Sequence, residues 1–130
     1  MSFVRLGCDL ILPNDQRIAV DLAETQEQRR DGLKGRRGLA PDEGMLFVFG
    51  KPGLYAFTMN GMLISVDMIW IGSDFSIVQI VEGARPSGPV STYGGNKSAA
   101  YVLELGAGGA KRYGLRVGQR LRLGAGGLNG

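Results

Sequence analysis

The sequence predicts a mainly β domain, an antiparallel sandwich, jelly roll or barrel of about eight short strands with one short helix near residues 25–32. Apolar and polar residues alternate along several short segments, and turn residues separate those segments. The 22 glycines are spread along all 130 residues, as expected where many tight turns join strands. This length predicts a single domain over residues 1–130, ending in a glycine-rich tail at 124–130.

Two alternating segments and one helix are predicted in the first third of the chain. Apolar residues take every second position over 4–12 and again over 18–22, with the turn sequence PND between them, so a hairpin is expected. The single cysteine, Cys8, falls on the apolar side and is interpreted as a core residue, not a reactive thiol. Thr25 and Gln28 have the spacing of a capping box, and Gly32 is placed to end the helix.

The remaining strands are predicted over MLFVF, LYAFTM, MLISVDMIWI, FSIVQIV, AAYVLEL and QRLRL. Asn60-Gly61 lies between the second and third of these segments and predicts a hairpin there. Residues 82–98 have loop composition over a length that is usually functional or bound to a partner. We expect this segment to cover a sheet edge or a partner, so that deleting 87–95 would leave the melting temperature nearly unchanged.

Four segments in order resemble the signature of the bacterial and archaeal family called domain of unknown function 192. They are AETQEQRRDGLKGR, GMLFVF, FTMNGMLISVDMIWI and AAYVLELGAGGAKRYGLRVGQRL, and together they span about residues 19–121. The resemblance implies a mainly β sandwich or jelly-roll fold. It implies no activity, because none is established for the family, whose members are often exported.

The chain departs from this signature at five positions. Where the family tends to have Met, Trp, Asn, Thr and Pro, the sequence has Lys34, Thr58, Gly61, Met62 and Ser65. If the family's polar Lys-Asn-Thr patch binds a ligand, the resemblance implies that this chain has changed or lost that site. The candidate binding surface combines side chains of this region with side chains of the long loop. Its residues are Asn60, Met62, Tyr93, Asn96 and Lys97.

Asp67 is a lone carboxylate within an almost wholly apolar segment and should need a partner, because an unpaired buried charge costs several kcal/mol. An arginine supplies two charge-assisted hydrogen bonds at once. Arg36 occupies the arginine position of the resembled motif, so we predict an Arg36–Asp67 bridge, completed by Glu104 or backbone amides. Its expected role is structural. In the less favoured alternative, Asp67 and Glu104 form a carboxylate pair that hydrolyses glycosides.

Positive charge is concentrated in two sequence regions, although the net charge is only +3. The candidate basic patch consists of Arg29, Arg30, Lys34 and Arg37 from the first region, with Lys111 and Arg112 from the second. If the two regions met, they would suit phosphates. No nucleic-acid fold signature accompanies them, so solvated faces are the favoured interpretation. The GAGGAK stretch at 106–111 is likewise interpreted as a glycine turn, because it lacks the spacing of a phosphate-binding motif.

Composition argues against an enzyme, because the chain contains no histidine, the side chain that most often serves in acid–base catalysis and metal binding. We expect no cofactor, no metal and no catalytic residues. No apolar run reaches the length of a spanning helix, and no signal peptide is recognised, so we expect a soluble chain without a membrane partner.

The favoured hypothesis is a non-enzymatic binding or structural module that acts through surface contacts, by self-association or with a protein partner. One form of it is an accessory or decoration subunit of a larger assembly such as a virion, in which neighbours would hold the glycine-rich tail. The alternative is a small-molecule or carbohydrate-binding protein whose site lies under the 82–98 loop.

Overall fold

A computed structural model describes residues 5–90 and 92–124. Its strands are β1 (Arg5–Ile11), β2 (Arg17–Ala23), β3 (Glu43–Gly53), β4 (Ala56–Phe57), β5 (Val66–Ile71), β6 (Ile77–Ala84), β7 (Tyr93–Gly94), β8 (Ala99–Gly106) and β9 (Arg122–Leu123). Its helices are α1 (Gln26–Asp31) and α2 (Gly109–Arg112). The predicted mainly β fold is confirmed, with nine strands and two short helices in the described part of the chain.

Seven strands form one sheet in the order β6-β5-β8-β3-β2-β1-β9, and β4 pairs with β7 in a second, two-stranded sheet. The pairs in the large sheet are antiparallel except that β2 and β3 run parallel. A parallel pair needs a crossover between its strands, and α1 lies in that crossover. The sheet is therefore mixed, and the β2–β3 pair departs from the antiparallel arrangement expected from the sequence.

The large sheet curls until its two ends are linked. Ser76, just before β6, forms an isolated antiparallel bridge with Arg120, and the backbone N–H of Ile77 donates to the carbonyl oxygen of Gln119 at 2.8 Å. The edge strands β6 and β9 do not themselves pair, so the described sheet is not a closed barrel. The curl lets strands from both ends of the sheet contribute to one core.

Each face of the sheet carries its own apolar cluster. The α2 face includes Leu10, Leu46, Ile69 and Leu103 together with Tyr113 beside α2. The α1 face packs around Met45, Phe47, Met68, Trp70 and Val102, with Leu33 after α1, and it holds all four methionines of the described chain. Successive residues of a strand point to opposite faces, so the register decides which face each side chain reaches.

The prediction for α1 is confirmed in detail. The Thr25 hydroxyl accepts from the backbone N–H of Gln28, and the Gln28 side chain accepts from the Thr25 backbone N–H, which completes the capping box. Gly32 follows the helix at φ +47°, and its backbone N–H bonds to the Gln28 carbonyl oxygen at 2.8 Å. Cys8 is buried on the α2 face, as its place in the alternating pattern predicts.

The hairpin predicted at Asn60-Gly61 is absent from the described structure. Gly61 does turn the chain, at φ +78°, but the preceding strand β4 pairs with β7, and β5 pairs with β6 and β8. The turn chemistry was recognised correctly. The strands on its two sides find different partners because the segment 58–65 carries the chain from the small sheet to the large one.

The segment 82–98 contains strand structure, although most of its described residues are at least partly exposed. Its first residues belong to β6, and β7 lies on the large sheet so closely that a Cβ added at Gly94 would come within 2.1 Å of the Trp70 ring. Tyr93 packs against the α1-face cluster. Deleting 87–95 would remove β7, and the effect of that deletion on the melting temperature stays a prediction.

A buried carboxyl and a cavity beside α1

Asp67 is fully buried in β5, and backbone N–H groups alone hydrogen-bond its carboxylate among the described residues. Its Oδ1 accepts from the backbone N–H of Gly83 at 2.8 Å, and its Oδ2 accepts from those of Gly108 at 3.1 Å and Ala110 at 2.9 Å. The carboxylate thereby joins the end of β6 to the start of α2. The expectation that backbone amides take part is confirmed.

The predicted Arg36–Asp67 bridge was wrong. Arg36 instead pairs with Asp21 of β2, Nη2 to Oδ2, at 2.9 Å, where both side chains are partly exposed. Asp21 lies opposite Met45, which faces α1, whereas Asp67 lies opposite Leu105, which faces α2. The sheet therefore separates Arg36 from Asp67.

Glu104 points to the face opposite Asp67, so the two do not form a cluster. Its neighbours across the sheet are Met45 and Met68, both in the α1-face cluster. This placement also rules out the alternative of a carboxylate pair for glycoside hydrolysis, which needs both groups on one substrate.

Glu104 is 3% exposed, and no hydrogen bond or ion pair joins its side chain to another described residue. Burial raises the pKa of Glu104 to about 8, because removal from water penalises the charged form. At neutral pH the group is a neutral carboxylic acid, which both donates and accepts a hydrogen bond. A buried polar group without a protein partner calls for an explanation.

A cavity of about 380 Å³ opens beside Glu104 and provides that explanation. It lies between α1 with its following loop, strands β3 and β4, and the turn after β4. Its lining residues are Gln26, Arg29, Arg30, Asp31, Gly32, Leu33, Lys34, Phe47, Phe49, Ala56, Phe57, Thr58, Asn60, Met62 and Glu104. Glu104, Phe47 and Leu33 are buried and form its inner part, whereas Arg30, Lys34 and Asn60 are exposed and form its mouth.

Three phenylalanines shape the apolar wall of the cavity. Phe57 meets Phe47 edge to face, with ring centroids 4.9 Å apart, and it meets Phe49 in the same way at 6.2 Å. Phe49 in turn stacks on Tyr55 at 3.7 Å. Rings held by several neighbours are fixed in orientation, so the wall is formed before any ligand arrives.

Two cationic side chains at the mouth have no carboxylate partner among the described residues. Arg29 donates from Nη1 to the carbonyl oxygens of Glu24 and Val48, at 2.6 and 2.8 Å, and its guanidinium lies over Phe49. Lys34 runs along Gly61, where an added Cβ would come within 3.1 Å of its Cδ. By contrast, Arg30 lies 3.7 Å from Asp31, a contact between two well-exposed side chains.

The comparisons with known proteins bear on this site. The DUF192 family, described as an uncharacterised ACR, matches residues 10–123. The chain belongs to the DUF192 family. A solved structure from Sinorhizobium meliloti 1021, provisionally described as a transcription regulator, is 37% identical, with a TM-score of 0.84 over 95% of this chain and 96% of that chain. A protein of unknown function from Novosphingobium aromaticivorans DSM 12444 is 26% identical, with a TM-score of 0.83 over 94% and 88%. No curated protein matches the sequence significantly.

Four of the five departures from the DUF192 signature lie at this cavity, and the fifth, Ser65, is not part of its lining. Lys34, Thr58 and Met62 line it, and Gly61 supports the stem of Lys34. The backbone N–H of Gly35 donates to the Gly61 carbonyl oxygen at 3.1 Å, which ties the loop after α1 to the turn after β4. The sequence differences therefore alter one connected mouth.

The candidate binding surface predicted for this DUF192 chain is divided by the structure. Asn60 and Met62 line the cavity. Tyr93 packs in the α1-face core, and Asn96 and Lys97 are exposed after β7, outside the cavity lining. Sequence reasoning missed the aromatic wall because Phe49 and Phe57 resemble ordinary strand residues. The available signal was the polar Glu104 within an apolar strand.

The predicted basic patch is not one surface. Arg29, Arg30 and Lys34 line the cavity on the α1 face, whereas Lys111 and Arg112 lie on α2, whose Ala110 packs into the opposite cluster. Arg37 is exposed in the loop after α1. The sheet separates the two groups, so they cannot contact one phosphate together.

Two further findings concern the described residues only. None of their helices is long and apolar enough to cross a membrane. No group of three or more His, Cys, Asp or Glu side chains in residues 5–90 and 92–124 is arranged to hold a metal ion.

Proposed function

We propose that this protein is a non-enzymatic binding module that holds a small molecule in the cavity beside α1. The observation that carries the proposal is the Glu104 carboxyl, which is buried, has no hydrogen-bond partner in residues 5–90 and 92–124, and borders a cavity with a preformed aromatic wall. A few polar groups converging in a mostly apolar concavity are typical of ligand sites. A bound molecule would satisfy Glu104 and cover the phenylalanine rings.

The proposed site differs in place from the one expected under the 82–98 segment. None of the described residues of 82–98 lines this cavity, and β7 packs on Trp70 instead. The proposed function is the small-molecule alternative predicted from the sequence, but the proposed binding site lies beside α1, β3 and β4.

Neither assembly nor nucleic-acid binding is favoured by the geometry. The glycine-rich tail at 124–130 motivated the virion or oligomer hypothesis, and all of it after residue 124 lies outside the described residues, so that role stays a prediction. The regulator description belongs to the S. meliloti protein. The two positive groups of this chain lie on opposite faces, which gives nucleic acid no continuous basic surface.

The proposal is tested by filling the cavity. Thr58 is exposed at the cavity lining, so Thr58→Trp should block the cavity without disturbing the core. The probe is 2-naphthol, a neutral bicyclic molecule, followed by its fluorescence and by the backbone amide signals of α1 and β4. We expect saturable binding to the native protein and its loss in Thr58→Trp.

Val117→Trp is the matched control, because Val117 is 62% exposed on the segment after α2. It should bind 2-naphthol like the native protein and keep the same melting temperature. Absence of saturable binding to the native protein, or equal binding by Thr58→Trp, would contradict the proposed function.

A further inference from the structure

We propose, resting on the proposed function, that the cavity selects flat apolar anions: molecules with an aromatic body, an acidic group at the mouth and a polar group at the inner end. The acidic group would lie between Lys34 and Arg29, and the inner polar group would hydrogen-bond Glu104. The class thus includes hydroxylated or keto-bearing aromatic carboxylates. Three features of the site lead to this assignment.

The charge at the mouth favours an anion. Arg29, Arg30 and Lys34 line the cavity with Asp31 as the one exposed carboxylate of the lining, and Asp31 lies beside Arg30. Arg29 and Lys34 remain without a carboxylate partner among the described residues. Arg29 donates from Nη1 to two backbone carbonyl oxygens. The other N–H groups of its guanidinium can therefore donate to a ligand.

The position of Lys34 is set by its neighbours. Its stem lies against Gly61, where a side chain would be both crowded at 3.1 Å and strained at φ +78°. The Gly35 to Gly61 backbone bond holds the two segments together at this point. These contacts place the stem of Lys34 at the mouth, from which its ammonium group can reach an acid in the cavity.

The inner end favours a neutral hydrogen-bonding group. Glu104 lies between Met45 and Met68 across the sheet, and the other buried side chains of the lining are apolar: Leu33, Phe47 and Met62. Burial keeps the carboxyl protonated at neutral pH. It can then donate to a ligand oxygen, whereas a cationic ligand would first have to pass Arg29 and Lys34.

The wall favours a flat body. Phe57 stands nearly perpendicular to both Phe47 and Phe49, with interplanar angles of 89° and 83°. This arrangement offers ring edges and ring faces to an inserted aromatic system, the geometry that aromatic pairs prefer.

The test uses three probes with one naphthalene body: 2-naphthoate, 6-hydroxy-2-naphthoate and 2-naphthylmethylammonium. Affinities are measured by isothermal titration calorimetry at pH 7 on the full chain. We expect 2-naphthoate to bind about tenfold more tightly than the ammonium probe, and the added hydroxyl to increase affinity about fivefold further.

Variants assign each preference to a residue. Lys34→Met should lower the affinity for 2-naphthoate about fivefold. Lys111→Met makes the same charge change on α2 and should leave that affinity unchanged. Glu104→Met should remove the gain from the 6-hydroxyl group while 2-naphthoate still binds. Thermal unfolding checks that each variant is folded, and Glu104→Gln, which keeps hydrogen-bonding capacity, should retain part of the gain.

The outcomes separate the two proposals. Tighter binding of the ammonium probe, or equal weakening by Lys34→Met and Lys111→Met, would overturn the anion assignment while leaving a ligand site in place. A hydroxyl gain that survives Glu104→Met would overturn the role of Glu104. Failure of all three probes together with 2-naphthol would count against the proposed function itself.

Discussion

Two carboxylates, Asp67 and Glu104, occupy adjacent central strands and are both buried, yet their surroundings differ completely. Asp67 faces α2 and accepts three backbone hydrogen bonds, from Gly83, Gly108 and Ala110. Glu104 faces α1 beside a cavity of about 380 Å³, and desolvation is the cause of its raised pKa. The first group is a structural junction, and the second has the character of a ligand site.

The contrast shows that burial alone does not distinguish a structural carboxyl group from one that contacts a ligand. Both residues look alike in the sequence, each a single acid within an apolar strand. The two residues differ in their hydrogen bonds. Asp67 accepts hydrogen bonds from the chain's own backbone, whereas Glu104 has no hydrogen-bond partner among the described residues. Unsatisfied polar groups beside a cavity are the stronger indication of function.

The largest expected effect comes from removing the junction. Asp67→Ala would leave three backbone N–H groups without their acceptor, each a loss of about 1–3 kcal/mol where water cannot replace it. We expect the free energy of unfolding to fall by about 3–5 kcal/mol, measured by urea denaturation. Asp21→Ala, which removes a partly exposed carboxylate, is the control and should cost about 1 kcal/mol or less. Similar losses in the two variants would contradict the structural role of Asp67.

An intermediate effect is expected from the pH dependence of stability at Glu104. Between its ordinary pKa of 4.5 and about 8, the unfolded chain releases a proton that the folded protein keeps. The free energy of unfolding should therefore fall as pH rises through this window, and the stabilisation should be fully present below pH 4.5.

Glu104→Gln removes this titration and provides the comparison. Relative to that variant, the native protein should lose about 2–4 kcal/mol between pH 5 and 8.5, measured by urea denaturation at each pH. Parallel stability curves for the two proteins would show that Glu104 is not held protonated by the fold. Asp67→Asn, measured in the same way, shows whether the pH dependence of stability in this window arises from Glu104.

The smallest effect concerns the ion pair on the α1 face. Arg36 and Asp21 are both partly exposed, so a double-mutant cycle with Arg36→Met and Asp21→Ala should give a coupling of about 0.2–1 kcal/mol. The corresponding cycle of Arg36→Met with Asp67→Ala should be additive within about 0.5 kcal/mol, because the sheet lies between the two residues. A coupling above about 1.5 kcal/mol in the second cycle would restore the Arg36–Asp67 pair expected from the sequence.

Local patterns were enough to predict the elements that local physics controls. The capping box of Thr25 and Gln28, the end of the helix at Gly32 and the burial of Cys8 all follow from neighbours in the chain. The DUF192 membership also followed from ordered motifs. Asp67 and Trp70 lie on opposite faces of the sheet, as expected for strand residues an odd number of positions apart.

Only the tertiary structure decided which faces and strands meet. The sequence by itself determined that the domain is mainly β, that Asp67 needs hydrogen-bond partners and that Glu104 lies in an apolar strand. It could not show that β2 and β3 run parallel, that β4 leaves β5 to pair with β7, or that Arg36 and Asp67 lie on opposite sides of the sheet. Strand pairing joins residues far apart in the chain, and its register depends on the packing of the whole sheet. The cavity arises in the same way, because α1, β3 and β4 meet there only after the sheet has curled.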